Sequence, residues 1–210
     1  MKKIVTLILV YFASLHSFGQ ANLFQNKEYN NLEEALKNPE LVYKLNLSNQ
    51  NIKLNEVDWS KFVNMEYLNL KNDHLKEIPS GISSLKSLKV IDLSGNDFNK
   101  LPAEFSNLTQ LEEVILNDEK NMDLPKTLNL LAKLPNLKSL HLENDRLKMV
   151  PTEILEFKNL EKLYLNQNKL KTIPKLDALN HLKYLDLNGN KINFKTENMI
   201  NSNFGFRINF

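Results

Sequence analysis

The sequence predicts a solenoid in which short repeats stack on one another and share a parallel β-sheet. The first observation is compositional: 39 Leu and 31 Asn make up a third of the 210 residues. The second is a pattern of the form LxxLxLxxNxL that recurs seven times between residues 42 and 193. Successive copies begin 23, 23, 23, 26, 23 and 22 residues apart, at Val42, Met65, Leu88, Leu111, Leu137, Leu160 and Leu182. Such a period indicates a repeat architecture, which needs at least about three copies to bury a common core.

The LxL core of each copy predicts a three-residue β-strand. Alternate side chains of a strand point to opposite sides, so the two leucines face the interior and their neighbours face outward. Apolar residues then recur every third position, as in Ile82, Leu85 and Leu88, which indicates 3₁₀ turns on the outer side. Trp59 occupies the equivalent place in the first copy and is predicted to lie in the core. An apolar–Pro pair leads into this segment in five copies: Ile78–Pro79, Leu101–Pro102, Leu124–Pro125, Val150–Pro151 and Ile173–Pro174.

These motifs resemble the leucine-rich repeat family, in its form with about 22 to 24 residues per repeat and an IPxxIxxLxxL second half. The resemblance covers residues 42–193. It implies a curved α/β solenoid with a parallel sheet on the concave face and short 3₁₀ or extended segments on the convex face. It also implies a buried ladder of motif asparagines, which fits Asn96, Asn168 and Asn190.

The ladder position is occupied by other residues in four copies: Gln50, Asp73, Glu119 and Asp145. An amide side chain both donates and accepts hydrogen bonds, whereas an ionised carboxylate only accepts. We therefore expect a weaker ladder at the coils that carry an acidic residue.

Both open ends of a solenoid need a cap. Residues 20–41 are predicted to form the N-terminal cap, with a short helix that begins after Asn31 as N-cap, has Glu34 three residues later and stops at Pro39. Residues 194–210 are predicted to form the C-terminal cap. Apolar residues alternate there, which indicates an added edge strand: Phe204, Phe206, Ile208 and Phe210.

The fourth copy departs from the others. Asn121 stands where an apolar residue is expected, and Met122 is predicted to fill the gap. Three extra residues follow Pro125, and leucines at every third position predict one added 3₁₀ turn on the convex side: Leu128, Leu131, Leu134 and Leu137. The insertion is either a tolerated convex loop or a local change of curvature that shapes a partner site.

The N-terminal segment MKKIVTLILVYFASLHSFGQ has the layout of a secretory signal peptide. Lys2 and Lys3 precede an apolar run, and Ser17 and Gly19 are small residues at the −3 and −1 positions, so we expect cleavage after residue 19. The apolar run is about half the length that a membrane span needs. An exported chain without Cys is typical of a bacterial envelope, which predicts a periplasmic or extracellular location.

The resemblance implies that a ligand binds to the concave face, at the residues beside each LxL. Two groups of side chains differ there from the polar background. One is Tyr67, Val90 and Ile115 with Asp92 beside them, and the other is His141, Tyr164, Tyr184 and Asp186. Tyr is frequent at binding hot spots. Single apolar residues also occur on surfaces without a function, so both interpretations stay open.

The sequence indicates a non-enzymatic binding module for a protein or peptide, with a glycan as a further candidate ligand. A structural or peripheral component of the bacterial cell envelope is the alternative. Without residues 1–19 the chain has 25 basic and 25 acidic residues, which does not favour nucleic-acid binding. We expect a monomer without cofactor, metal or membrane span in the mature chain. We also expect no nucleophile beside His141, and no catalytic motif is present.

Overall fold

A computed structural model describes residues 26–172, 176, 178–193 and 205–210. Nine strands form one sheet in sequence order, and every neighbouring pair is parallel. The strands are β1 (Glu28–Tyr29), β2 (Lys44–Asn46), β3 (Tyr67–Asn69), β4 (Val90–Asp92), β5 (Glu113–Ile115), β6 (Ser139–His141), β7 (Lys162–Tyr164), β8 (Tyr184–Asp186) and β9 (Arg207–Asn209). Strands β2 to β8 are those of the seven predicted copies, which we call coils.

The leucines of each coil bury one side of the sheet. The central residue of every strand from β2 to β8 is fully buried, and so is the second leucine of the LxL motif in each coil. The strand residues on either side of the central one lie on the opposite side of the sheet. That side is not covered by the outer helices, and we call it the open face.

The outer side of the solenoid carries the predicted 3₁₀ helices. They are Pro39–Leu41, Trp59–Lys61, Ser80–Ser84, Ala103–Asn107 and Thr152–Glu156. Each of the last four buries one large side chain against the leucines: Trp59, Ile82, Phe105 and Ile154. Trp59 is 2% exposed, so its assignment to the core is confirmed.

The insertion in the fourth coil forms an α-helix, α2 (Leu124–Leu131), and the prediction of an added 3₁₀ turn is wrong. Asp123 caps this helix by accepting a hydrogen bond from the Lys126 N–H at 3.3 Å. The residues that the helix buries follow the α-helical spacing: Leu124, Thr127, Leu128 and Leu131. A leucine at every third or fourth position fits both helix types, and the three extra residues supply the length that an α-helical turn requires.

The insertion leaves the register of the strands unchanged. Glu113 of β5 pairs with Ser139 of β6, and Ile115 pairs with His141, in the same register that the other strands follow. Met122 is partly buried against the core, as predicted. The additional residues therefore lie in the row of outer helices, away from the open face.

A ladder of side chains links the turns that follow the strands. Asn96 shows the full arrangement, because its Oδ1 accepts from the N–H of Asp73 at 3.1 Å while its Nδ2 donates to the carbonyls of Leu93 and Leu70. Asn168 and Asn190 make equivalent donations. The acidic residues continue the accepting half of the ladder, with N···O distances of 2.7 to 3.0 Å at Asp73, Glu119 and Asp145.

Burial changes the charge of the acidic ladder residues. Asp73, Glu119 and Asp145 are 2%, 4% and 7% exposed. Burial raises the pKa of Glu119 and that of Asp145 to about 8, and it also raises the pKa of Asp73. A protonated carboxyl has an O–H donor that the ionised form lacks. The expected weakening of the ladder at Glu119 and Asp145 therefore sets in as the pH rises towards 8.

The two ends of the described chain carry additional strands. A short helix, α1 (Leu32–Ala35), follows Asn31, whose Oδ1 accepts from the Glu34 N–H at 2.9 Å. Strand β1 before it pairs with β2 and was not predicted. Strand β9 pairs with β8, which confirms the added edge strand. The signal peptide (residues 1–19), the Ile173–Pro174 pair and Phe204 lie outside the described residues.

No helix within the described ranges is long and apolar enough to cross a membrane.

The acidic ladder predicts a protein that is more stable at mildly acidic pH. The folded pKa values of Glu119 and Asp145 lie above those of the unfolded chain, so stability is complete below about pH 4 and is lost as the pH rises towards 8. We expect the melting temperature to fall by several degrees between about pH 5 and 8.5. The Glu119→Gln/Asp145→Asn variant should lose most of this dependence, because its amides stay neutral and can donate.

Thermal unfolding followed by circular dichroism across this pH range measures the effect. A variant of two exposed acidic residues, Glu104→Gln/Glu156→Gln, is the matched control. If wild type and the ladder variant have parallel pH profiles, the ladder carboxyls do not titrate as described.

Candidate functional site

Three columns of side chains run across the open face, perpendicular to the strands. The leading column comes before the buried central residue of each strand, and the trailing column comes after it. The turn column lies two residues beyond the trailing one. The leading column is Lys44, Tyr67, Val90, Glu113, Ser139, Lys162 and Tyr184, and the trailing column is Asn46, Asn69, Asp92, Ile115, His141, Tyr164 and Asp186. The turn column is Ser48, Lys71, Ser94, Asn117, Glu143, Asn166 and Asn188.

All eight residues selected from the sequence lie on the open face, and each is half-buried. The structure brings five of them into one uninterrupted row of the trailing column, because Ile115 pairs directly with His141 in the sheet. The row is Asp92, Ile115, His141, Tyr164 and Asp186. The two predicted groups are therefore continuous. Tyr67 and Val90 pair with each other in the leading column, where Glu113 follows them.

A residue of the trailing column usually caps the end of the strand to which it belongs. Asn69, Asp92 and Asp186 accept a hydrogen bond from the backbone N–H two residues later, at 2.9, 2.9 and 3.0 Å. Asn46 does the same at 3.2 Å. Such a local cap satisfies a donor where the strand ends.

Three consecutive coils lack this cap. Ile115 has no acceptor, and the rings of His141 and Tyr164 are directed along the sheet rather than to their own turn. Neighbouring coils supply the missing acceptors for two of them: Ser94 Oγ accepts from Asn117 N–H at 3.2 Å, and Asn117 Oδ1 accepts from Glu143 N–H at 2.9 Å. These coils thus present apolar and aromatic surface at the position that elsewhere holds a structural polar residue.

Aromatic rings from three neighbouring strands form a continuous surface over β6 to β8. His141 stacks on Tyr164 with ring centroids 4.0 Å apart and an angle of 11° between the planes. Tyr164 and Tyr184 are tilted at 56° with centroids 5.5 Å apart. The guanidinium of Arg207 lies 5.8 Å from the Tyr184 ring centroid. Sequence reasoning missed Arg207, although the alternation in GFRINF could have placed it beside Tyr184.

Acidic side chains surround His141. Its Nε2 lies 3.2 Å from Glu113 Oε1, and its Nδ1 lies 3.9 Å from Glu143 Oε2. Glu143 also accepts a hydrogen bond from the Asn117 side-chain amide. The hydrogen bond from His141 holds the pKa of Glu113 below its usual range, partly opposed by burial. His141 is thereby fixed in orientation by groups from both neighbouring columns.

Ser139 corrects the expectation that no nucleophile stands beside His141. Its Oγ lies 3.2 Å from His141 Nε2. The same nitrogen faces Glu113 Oε1 at an equal distance, which requires an N–H there and leaves no lone pair to accept the serine proton. Ser139 is only 6% exposed, and its own N–H donates to the Glu112 carbonyl. The contact therefore has the geometry of a structural hydrogen bond.

Within the described parts of the chain, no group of three or more His, Asp or Glu side chains is arranged to hold a metal ion.

Family comparison is decisive for the fold. A model described as a leucine-rich repeat region matches residues 35–166, which is more than half of the chain. The chain belongs to the leucine-rich repeat family. A second model, for two copies of the repeat, matches residues 158–196. A search of curated protein sequences finds no match.

Solved leucine-rich repeat structures share the architecture. A leucine-rich repeat protein of Leptospira interrogans is 28% identical, with a TM-score of 0.55, over 79% of this chain and 53% of its own. Toll of Drosophila, in complex with Spatzle, is 26% identical, with a TM-score of 0.54, over 72% of this chain and 24% of its own. TLR13, in complex with ssRNA13, is 24% identical, with a TM-score of 0.69, over 86% and 28%. The chain spans about half or less of the length of these neighbours.

The division between open face and core predicts a large loss of stability for one substitution and a small loss for the substitution of its neighbour. Tyr164 belongs to the face, whereas Leu163 is fully buried. We expect Leu163→Ala to lower the free energy of unfolding by about 2 to 5 kcal/mol because it leaves a cavity. Tyr164→Ala should cost less than about 1 kcal/mol. Chemical denaturation of both variants measures the difference, and similar losses would show that Tyr164 serves the fold rather than the surface.

Proposed function

We propose that this leucine-rich repeat protein is an exported, non-enzymatic binding module that recognises a protein or peptide through its open face. The observation that carries the proposal is the run of Ile115, His141 and Tyr164 in the trailing column. In these three consecutive coils the trailing residue does not accept the backbone hydrogen bond that Asn69 and Asp92 accept at the same position. Their side chains contribute little to the core. Binding to a ligand is therefore the most direct reason for apolar and aromatic residues at a position that holds a polar capping residue in other coils.

The chemistry of the row supports a protein or peptide ligand. Tyr combines a large apolar ring with a hydroxyl and loses little side-chain entropy, which makes it frequent at protein interfaces. Tyr164, Tyr184 and His141 form one connected aromatic surface. The complex of Toll with Spatzle is a protein complex within the same family.

Export is part of this proposal and depends on the N-terminal segment, where Lys2 and Lys3 precede an apolar run. The ligand would then be met in the periplasm or outside the cell. Balanced charge over the rest of the chain supports a ligand other than nucleic acid.

Affinity capture tests the proposal. Residues 20–210, immobilised and exposed to envelope and extracellular extracts, should retain a specific partner. The Tyr164→Ala/Tyr184→Ala variant should bind that partner at least about tenfold more weakly, since Tyr is a typical hot-spot residue. Recovery is quantified by mass spectrometry, and affinity by surface plasmon resonance.

The matched control removes apolar side chains outside the open face. Val63 and Met149 are 56% and 76% exposed, and Val63→Ala/Met149→Ala should retain the partner. Equal capture by the tyrosine variant and the wild type would exclude the open face as the binding site. Association of the protein with membranes that resists carbonate washing, without a captured partner, would instead favour an envelope component.

A further inference from the structure

Charge is distributed unevenly along the flank of the solenoid, where the chain leads from each ladder residue towards the outer side. In coils 1 to 4 every such segment carries acidic as well as basic residues. The acidic ones are Glu56, Asp58, Glu77, Asp97 and Asp123. In coils 5 to 7 the corresponding residues 146–151, 169–172 and 191–193 include basic residues and no acidic one. We call these basic residues the basic flank: Arg146, Lys148, Lys169, Lys171 and Lys191.

The three segments of the basic flank lie side by side. The Lys169 N–H donates to the Leu147 carbonyl at 2.8 Å, and the Lys191 N–H donates to the Leu170 carbonyl at 2.9 Å. Segments joined by such bonds are about 5 Å apart, as neighbouring strands are. The positive charges of three coils are therefore gathered on one small area.

These positive charges are available to a ligand. All five side chains are exposed, and none of them forms an ion pair within the part of the chain that the structure describes. By contrast, Lys183 in the row before the strands pairs with Glu161 at 2.8 Å. Asp145 precedes Arg146 in the ladder, but burial raises the pKa of Asp145 to about 8, so this carboxyl is largely protonated at neutral pH.

An apolar side chain accompanies the basic flank. Met149 directly follows Lys148 and is 76% exposed, so it contributes little to the core. Other coils have a polar residue at this position: Glu77, Lys100, Asp123 and Thr172. An exposed apolar side chain next to several basic ones is typical of surfaces that bind at the boundary between membrane and water.

A lipid surface suits the basic flank better than other polyanions do. Four of its five residues are Lys, whose compact charges fit scattered phosphates, whereas recognition of a single phosphate or carboxylate favours arginine. Its three segments contain no aromatic side chain on which a nucleotide base could stack. An acidic protein segment would use the lysines but would leave the exposure of Met149 unexplained.

We propose that the basic flank docks on an anionic lipid bilayer, with its Lys and Arg side chains at the lipid phosphates and Met149 inserted among the head groups. Each basic residue near such a surface adds to the attraction, and salt screens it. This inference goes beyond the proposed function, because docking through the flank leaves the open face free for a protein or peptide.

Vesicle flotation tests the inference. The full chain is produced in a host that exports it, and mass spectrometry checks that the apolar N-terminal segment has been removed. Vesicles contain phosphatidylcholine alone or equal parts of phosphatidylcholine and phosphatidylglycerol. At low ionic strength we expect at least about tenfold stronger binding to the anionic vesicles, and loss of this difference in high salt. Lys148→Gln/Lys171→Gln should weaken binding to the anionic vesicles at least about tenfold.

Two variants control for net charge and for the open face. Lys53→Gln/Lys76→Gln removes two exposed lysines from the equivalent positions of coils 1 and 2, which lie outside the basic flank. It changes the net charge by the same amount and should alter binding by less than about twofold. Tyr164→Ala/Tyr184→Ala should bind the vesicles as the wild type does.

A fluorescent label tests the insertion of Met149. The chain contains no Cys, so Met149→Cys provides a single attachment site for a dye that responds to polarity. We expect its emission to increase and shift to shorter wavelength on anionic vesicles and to stay unchanged on phosphatidylcholine. The same dye at Val63→Cys, a position that is 56% exposed on coil 1, should not respond.

The outcomes separate this inference from the proposed function. Equal binding to both kinds of vesicle, equal losses for the two lysine variants, or a silent label at position 149 would each overturn the membrane site. Binding of polyglutamate as tight as that of the vesicles would overturn it in favour of an acidic protein segment. None of these results affects binding through the open face. Failure of the affinity capture, with vesicle binding intact, would reject the proposed function alone.

Discussion

The architecture depends on the hydrogen bond from the backbone of each turn to the ladder side chain of the next coil. A three-residue strand with two inward leucines is too short to be stable alone, and each turn contains donors that the strands do not satisfy. Asn96 resolves both problems, since it bonds to the Asp73 N–H of the preceding coil and to carbonyls of both coils. The ladder thereby fixes the distance and register at which the leucines stack. Glu119 and Asp145 accept their ladder hydrogen bonds in either charge state, but burial raises the pKa of both to about 8, so the stability of the central coils depends on pH.

The ladder and the leucines stabilise the coils from inside. Residues on the open face can therefore differ from coil to coil without loss of the fold. Four coils still use the trailing position as a cap, whereas Ile115, His141 and Tyr164 do not. Bonds from Ser94 and Asn117 of neighbouring coils compensate at two of the three turns. The outer insertion, helix α2, lies on the same stretch of the solenoid without altering the strand register. The coils thus differ from one another in their ladder residue, their outer helix and their open-face residues, and a change at one of these places leaves the strand register intact.

Much of this could be predicted from the sequence because the repeat fixes position. The period places Tyr67, Val90 and Tyr184 in one column and His141 and Tyr164 in the next, and the sheet register agrees. Contacts between side chains could not be predicted, since the stack of His141 on Tyr164 and the approach of Ser139 depend on rotamers and on Glu113. The type of the inserted helix was also ambiguous, because leucines at Leu128 and Leu131 satisfy both 3₁₀ and α-helical spacing. Strand β1 is too short to leave a periodic signal.

The central claim is that the aromatic row over β6 to β8 is the surface on which a partner lies. Hydroxyl-radical footprinting tests it directly, since Tyr, His and Met side chains are readily oxidised and report their own exposure. With the captured partner bound, His141, Tyr164 and Tyr184 should be protected, while Met149, which is 76% exposed and lies away from the open face, should be oxidised as before. Protection of Met149 with unchanged oxidation of the two tyrosines would contradict the account and place the interface on the outer side.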